Sequence, residues 1–76
     1  MTKLPSVSGE KVVKALSKAG FVAHHQKGSH VTMKHLTDPA RRVVVPVHKG
    51  KILGKGLLLS IIKDSGLTIE QFGELL

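Results

Sequence analysis

Residues 21–47, FVAHHQKGSHVTMKHLTDPARRVVVPV, contain three short runs of β-branched and apolar residues separated by turn-forming residues. The first run covers residues 21–26, and a turn over residues 27–29 leads directly into the second run, residues 30–36. The third run, residues 42–47, follows a second segment of turn-forming residues. Short turns join antiparallel neighbours, so this stretch predicts a three-stranded antiparallel sheet.

The second predicted strand has two different faces. Alternation places Val31, Met33 and His35 on one face, and His30, Thr32, Lys34 and Leu36 on the other. The face with Val31 and Met33 is the expected core side, because it carries the larger apolar residues. In the third predicted strand, Pro46 favours an edge position or a strand end.

A helix is predicted before the sheet, after an irregular lead-in over residues 1–7. Ser8 is a suitable N-cap for a helix that runs through Glu10 to Ala19, with apolar residues at helical spacing. Gly20 then suits the left-handed conformation that commonly ends a helix.

Two helices are predicted after the sheet. Residues 57–63 supply an apolar helical face, and Ser65-Gly66 stops this helix. A short helix is expected from Thr68, because Thr68 and Gln71 have the spacing of a capping box. This last helix forms a C-terminal extension over residues 67–76.

The predicted fold class is therefore α+β, with the order α-β-β-β-α and a short extra C-terminal helix. A three-stranded sheet has to bury one face, and only the flanking helices are available to cover it, so both helices are expected on the same side. The other face is expected to stay open. The chain shows no internal repeat or linker, which predicts one domain over residues 1–76.

The chain is small and basic. Its 76 residues carry 12 Lys plus Arg against 5 Asp plus Glu, a formal net charge of +7. This size leaves no room for a deep cofactor cleft, and no cofactor is predicted. The absence of cysteine excludes a disulfide framework, a thiolate metal site and a cysteine nucleophile. No apolar run approaches the roughly 18 residues of a membrane span, so a cytoplasmic protein is expected.

The positive charge is concentrated in the middle of the chain. Between Lys11 and Lys63, nine Lys and two Arg stand against the single acid Asp38, a formal charge of +10. A basic patch of this density favours a polyanion such as nucleic acid, with a solvated surface that maintains solubility as the alternative. Only two residues are aromatic, so contacts to the nucleic-acid backbone are expected rather than base stacking.

Histidine is the main candidate for chemistry. The chain has five histidines but no Walker loop, dinucleotide fingerprint or paired carboxylate motif. The histidine spacing matches no common zinc pattern, and no metal site is predicted. His24, His25 and His35 are interpreted as surface or structural residues. His30 differs, because it follows a tight turn and shares the predicted open face with Lys34.

An imidazole at the position of His30 lies among groups that can bind phosphate. Its unperturbed pKa of about 6.5 lets it accept or donate a proton at neutral pH, as RNA cleavage through the 2′-hydroxyl requires. Nearby lysines can stabilise charge that develops on the phosphate. A basic RNA-binding module without catalysis is the alternative.

Several short motifs occur along the chain in a specific order. They are Ser8-Gly9-Glu10, Ala19-Gly20-Phe21, Lys27-Gly28-Ser29-His30, Val44-Val45-Pro46-Val47-His48 and Ile61-Ile62-Lys63-Asp64-Ser65-Gly66-Leu67. Together, their order and spacing resemble the HicA toxin family over residues 8–76. The resemblance implies a fold like a double-stranded RNA-binding domain, mRNA interferase activity and a HicB-type antitoxin as partner. It also implies that His30 is the catalytic residue and that Gly28 and Ser29 shape the turn and contact phosphate.

The chain departs from this family at the start of the second predicted helix. Many relatives have Pro-Gly-Thr there, whereas this chain has Lys55-Gly56-Leu57, which leaves Gly54 as the expected cap. Lys49, Lys51 and Lys55 cluster before this helix N-terminus. Such an arrangement favours phosphate, with a solvated loop as the alternative.

The predicted function is a toxin that cleaves mRNA without a metal, with His30 moving the proton and RNA on the open face. The residues assigned to RNA binding are Lys27, Gly28, Ser29, Thr32, Lys34, His48, Lys49 and Lys55. The antitoxin is expected to cover this face with an acidic surface, and the free protein is expected to be monomeric. The alternatives are a non-catalytic RNA-binding module, or a copy that has lost nuclease function and acts chiefly as an interaction partner.

Overall fold

Three helices and a three-stranded sheet make up the computed structural model, which describes residues 4–76. The elements are α1 (Gly9–Lys18), β1 (Phe21–Lys27), β2 (His30–His35), β3 (Arg42–Pro46), α2 (Lys55–Ser65) and α3 (Ile69–Glu74). The strands are antiparallel in the order β1-β2-β3. The α+β class, the element order and the short third helix are confirmed. Of the predicted irregular lead-in, residues 1–3 lie outside the described part, and residues 4–7 have no helix or strand.

The first helix begins after the predicted N-cap and ends one residue earlier than predicted. The Ser8 side chain accepts a hydrogen bond from the Lys11 backbone N–H at 3.4 Å, so Ser8 is the N-cap. Ala19 is the C-cap rather than a helical residue, and Gly20 follows with a φ of 97°. Only glycine adopts such a positive φ without strain, which explains the stop at this point.

The second helix extends beyond its predicted apolar face at both ends. It covers Lys55–Ser65 rather than residues 57–63, and Gly54 is its N-cap without a side-chain hydrogen bond. The predicted role of Gly54 as the cap is confirmed. The capping box of α3 is also confirmed, because Gln71 N–H donates to Thr68 Oγ1 at 3.0 Å and Thr68 N–H donates to Gln71 Oε1 at 2.9 Å.

The hydrophobic core lies between the helices and one face of the sheet, and this helix-covered face is the predicted one. The strand residues buried there are Phe21, Val31, Met33, Val43 and Val45. The helix residues buried against them include Val12, Ala15, Leu16, Leu58, Ile61, Ile62 and Phe72. Burial of these apolar side chains is the main stabilising contribution, at about 25 cal/mol for each Å² removed from water.

The start of α1 packs closely against the end of β3. Gly9 is buried, and a Cβ atom at this position would collide with the Pro46 carbonyl oxygen. The lead-in lies beside the loop that precedes α2, because Leu53 N–H donates to the Val7 carbonyl at 2.9 Å and Ser8 bridges Ile52. The start of α1, the end of β3 and the loop before α2 therefore meet at one end of the sheet.

At the opposite end of the sheet, an arginine joins the strands to the end of α2. Arg41 Nε and Nη2 both donate to the Ser65 carbonyl oxygen, at 2.9 and 2.6 Å. The guanidinium group also lies 5.3 Å from the Phe21 ring centroid, within the range of a cation–π contact. The His35 ring packs edge-on against Phe21, which agrees with the structural interpretation of His35.

Candidate nucleic-acid interface

The sheet face away from the helices carries three rows of side chains that cross the strands. The strand register gives these rows as Lys27-His30-Pro46, His25-Thr32-Val44 and Val22-Lys34-Arg42. We call these nine residues the open face. None of them is fully buried and none is acidic, so the positive charge of the central segment reaches the surface here without a carboxylate in the rows.

A β-bulge in β1 decides which residues of that strand belong to the open face. The register shifts between Ala23 and His25, so that Ala23 pairs with Met33 while His25 pairs with Thr32. Simple alternation from buried Phe21 would put Lys27 on the helix side. The extra residue reverses the alternation after the bulge, and Lys27 comes to lie opposite His30 on the open face.

The turn before His30 is held in place by the segment after β3. Ser29 C=O accepts a hydrogen bond from Val47 N–H at 2.6 Å, and Ser29 Oγ lies 3.3 Å from His48 Nε2. Gly28 has a φ of 59° and open space around its Cα, so the turn depends on the backbone freedom of this glycine. The two motifs 27–30 and 44–48 thus form one structural unit.

His30 is the first residue of β2 and is exposed, between Lys27 of β1 and Pro46 of β3. An exposed imidazole at the end of a central strand is accessible to a large substrate such as RNA. The predicted residues Thr32 and Lys34 follow it along β2 on the same face, and both are half-buried. Six of the predicted site residues, from Lys27 to Lys34, therefore lie on or directly beside the open face.

The three remaining predicted residues lie outside the rows. His48 joins the site through Ser29, and Lys49 follows it in an exposed turn closed by a 3.0 Å hydrogen bond from Lys51 N–H to His48 C=O. Lys55 is the exposed first residue of α2. It begins a helix that packs on the covered face, so it is the predicted residue least connected to the open face.

Three cationic or titratable residues of this surface are missing from the predicted set. His24, His25 and Arg42 line a shallow depression together with Thr32 and Lys34. Arg42 could have been found by continuing the alternation back from Val43 and Val45. The histidines could not, because the bulge that brings both of them to this side leaves no signal in a run of polar residues.

Two other kinds of feature are absent from the described residues 4–76. Within residues 4–76, no three His, Asp or Glu side chains converge in a way that could hold a metal ion. No helix in the same range has the length and apolar character needed to cross a bilayer.

A comparison with known protein families gives one match. The family described as the HicA toxin of bacterial toxin-antitoxin systems matches residues 9–67 of the 76-residue chain. The chain belongs to the HicA toxin family. No curated protein matches the sequence significantly. The HicA match begins at the first residue of α1, contains all three rows of the open face and ends before α3. Membership of this family gives the chain a toxin role and implies an antitoxin as its partner.

Proposed function

We propose that this HicA family member is an endoribonuclease that cleaves mRNA without a metal ion, and that His30 is its catalytic residue. The observation that carries the proposal is the position of His30. It is exposed at the start of the central strand, opposite Lys27 and beside the Gly28-Ser29 turn, on a face with no acidic residue in its rows. The implied activity of the family, mRNA cleavage, supports the same conclusion.

The proposed reaction uses the 2′-hydroxyl group of RNA as the nucleophile. The His30 imidazole accepts the proton of the 2′-hydroxyl while the 2′-oxygen forms a bond to the adjacent phosphorus. The bond from phosphorus to the 5′-oxygen of the next nucleotide breaks, and the imidazolium gives its proton to that oxygen, directly or through one water molecule. The products are a 2′,3′-cyclic phosphate and a 5′-hydroxyl end, and His30 is again neutral.

The surroundings of His30 supply groups for phosphate binding. The Lys27 ammonium group lies on the neighbouring strand opposite His30, where it can stabilise negative charge on the reacting phosphate. Gly28 and Ser29 offer backbone N–H groups, and the Ser29 hydroxyl is already oriented by His48. Thr32 and Lys34 continue the contact along β2, while Lys49 and Lys55 bind phosphates that extend beyond the sheet.

The test compares wild type with His30→Ala on end-labelled RNA in the presence of EDTA. We expect wild type to cut and the variant to be slower by about 10²–10⁴-fold, the usual contribution of general acid–base catalysis. Because His30 is exposed, the variant should keep its thermal unfolding curve and its RNA affinity. Lys14→Ala, on the exposed side of α1, is the matched surface control and should cut like wild type.

The outcomes separate the three functions. If His30→Ala cuts as fast as wild type, the catalytic assignment is wrong. If wild type binds RNA in a salt-dependent way and never cuts it, the chain is a non-catalytic RNA-binding module. If it neither binds nor cuts RNA and is harmless on induction but forms a stable complex with its antitoxin, it acts only as an interaction partner.

The proposal also concerns the antitoxin, which we expect to be of the HicB type. An inhibitor of this surface has to neutralise the open face and block access to His30, so its contact surface should be acidic. Hydrogen exchange of the complex should show protection in residues 27–34 and 42–48. Protection confined to α1 and α3 would contradict this arrangement.

A further inference from the structure

We infer that the depression lined by His24, His25, Thr32, Lys34 and Arg42 is a second phosphate subsite, which binds a neighbouring phosphate of the RNA strand that reaches His30. This inference deepens the proposed function and rests on it. It assigns a role to three residues, His24, His25 and Arg42, that the mechanism at His30 does not use.

The β-bulge is the structural basis of this subsite. In a regular strand, two consecutive residues point to opposite faces, and only one of the two histidines could face outward. The register shift between Ala23 and His25 brings both into the same depression, above the middle of the sheet. Bulges commonly redirect side chains next to functional sites, and this bulge directs both histidines into the depression.

The chemistry of the lining residues fits an anion. Arg42 has five N–H donors in a planar fork, Lys34 has three, each histidine has at least one, and Thr32 adds a hydroxyl group. No carboxylate is among the residues that line the depression in the described part of the chain. Hydrogen bonds from charged donors to phosphate are about twice as strong as neutral ones, and the arginine fork matches two phosphate oxygens at once.

The distance along β2 separates this subsite from the reacting phosphate. Lys34 is four residues beyond His30 in the same strand, which is about 13 Å at the rise of an extended strand. One phosphate group is too small to contact both ends of this span. The depression therefore holds a different phosphate, and only an RNA with more than one phosphodiester group can use both positions.

The experiment exploits this dependence on RNA length. The double variant His24→Ala/His25→Ala and the single variant Arg42→Ala are compared with wild type on two substrates. One substrate is a dinucleotide with a single phosphodiester bond, and the other is a single-stranded RNA several nucleotides long. Lys14→Ala, on the helix side of the molecule, again serves as the control.

We expect the KM for the longer RNA to rise about tenfold in both variants, because one or two charge-assisted hydrogen bonds are lost. The kcat should stay unchanged. Cleavage of the dinucleotide should not change. The inference is wrong if the longer RNA is cut with the wild-type KM. It is also wrong if the KM for the dinucleotide rises as much as the KM for the longer RNA, because the residues would then act on the reacting phosphate or on the fold.

A binding measurement separates this inference from the proposed function. A 2′-O-methyl RNA of the same length cannot be cut, and its affinity is measured by fluorescence anisotropy. Both variants should bind it about tenfold more weakly than wild type, again because hydrogen-bond donors to phosphate are lost. If wild type cuts no RNA but the variants still show this loss, the catalytic proposal fails and the phosphate subsite stands. Equal binding by wild type and both variants overturns the subsite.

Discussion

The two faces of the sheet are built from the same three strands but differ in almost every property. In β2, Met33 is fully buried under the helices, whereas Thr32 and Lys34 on either side of it point to the open face. The covered face is apolar and buried, whereas the open face carries basic and polar residues together with Val22, Val44 and Pro46. Because neighbouring residues in a strand point to opposite sides, stability and the candidate function can be changed separately at adjacent positions.

The contrast continues at the start of β3, where two consecutive arginines have different surroundings. Arg41 is half-buried and tied to the end of α2, whereas Arg42 is exposed on the open face. The same residue type thus supports the fold in one position and the basic surface in the next. Composition alone counts both as surface charge.

The largest effect on stability is expected from Met33→Ala on the covered face. Removing this fully buried side chain should lower the free energy of unfolding by about 2–5 kcal/mol. Thr32→Ala, the neighbour on the open face, should cost less than about 1 kcal/mol. Urea denaturation measures both, and a similar loss in the two variants would contradict the division between the faces. If Met33→Ala does not fold, Met33→Leu should fold at a cost below about 1.5 kcal/mol.

The next largest effect is expected at the contact between α1 and the end of β3. Gly9→Ala places a Cβ atom against the Pro46 carbonyl, and the required shift should cost about 1–3 kcal/mol. Gly56→Ala should instead raise the free energy of unfolding. This position in α2 has open space, and alanine is more favourable than glycine in a helix by about 0.5–1 kcal/mol. Thermal unfolding of the two variants should move the melting temperature in opposite directions. An unchanged or raised melting temperature for Gly9→Ala would contradict the close approach.

The paired arginines give an effect of similar size, with two readouts. Arg41→Ala removes two hydrogen bonds to the Ser65 carbonyl and should lower the free energy of unfolding by about 1.5–3 kcal/mol. Arg42→Ala should change it by no more than about 0.5 kcal/mol while weakening RNA binding. Arg41→Lys should rescue little, since an ammonium group lacks the planar fork. The contrast between the faces fails if Arg42→Ala destabilises the protein and leaves RNA affinity intact.

The smallest effect is expected from a single lysine of the open face. Lys27→Ala should reduce the slope of log affinity against log salt concentration for single-stranded RNA by about 0.7, because one phosphate contact releases counterions in this proportion. Lys14→Ala, on the exposed side of α1, should leave the slope unchanged. Filter binding across a salt series measures both slopes. Equal slopes for Lys27→Ala and wild type would show that the bulge does not bring Lys27 to the RNA.

Most of the fold could be predicted because its signals are local. Ser8, Gly20, Gly54 and Thr68 act on backbone groups within a few residues of themselves, and each marks a helix end where it was expected. The alternation around Met33 was equally sufficient to identify the covered face. The apolar face of α2 begins only at Leu57, two residues after the helix start, because Lys55 and Gly56 carry no apolar signal and join the helix only through their backbone.

The candidate site could be predicted in part. The motif from Lys27 to Lys34 is continuous in the sequence, so its turn and its alternation indicate one surface. His24, His25 and Arg42 were not assigned to that surface. The orientation of the two histidine side chains depends on a register shift. A polar run has no energetic preference for either face of a strand, so the sequence does not indicate which way these side chains point.

The amino-acid sequence by itself determined the helix ends, the three strands and the side of β2 that enters the core. Only the tertiary structure decided which distant groups meet: Ser29 with His48, 19 residues apart, and Arg41 with Ser65, 24 residues apart. It also decided that the bulge turns Lys27 toward His30. The physical reason is the range of the interactions. Caps and alternation act between near neighbours in the chain, whereas register and long-range hydrogen bonds follow from the packing of the whole core.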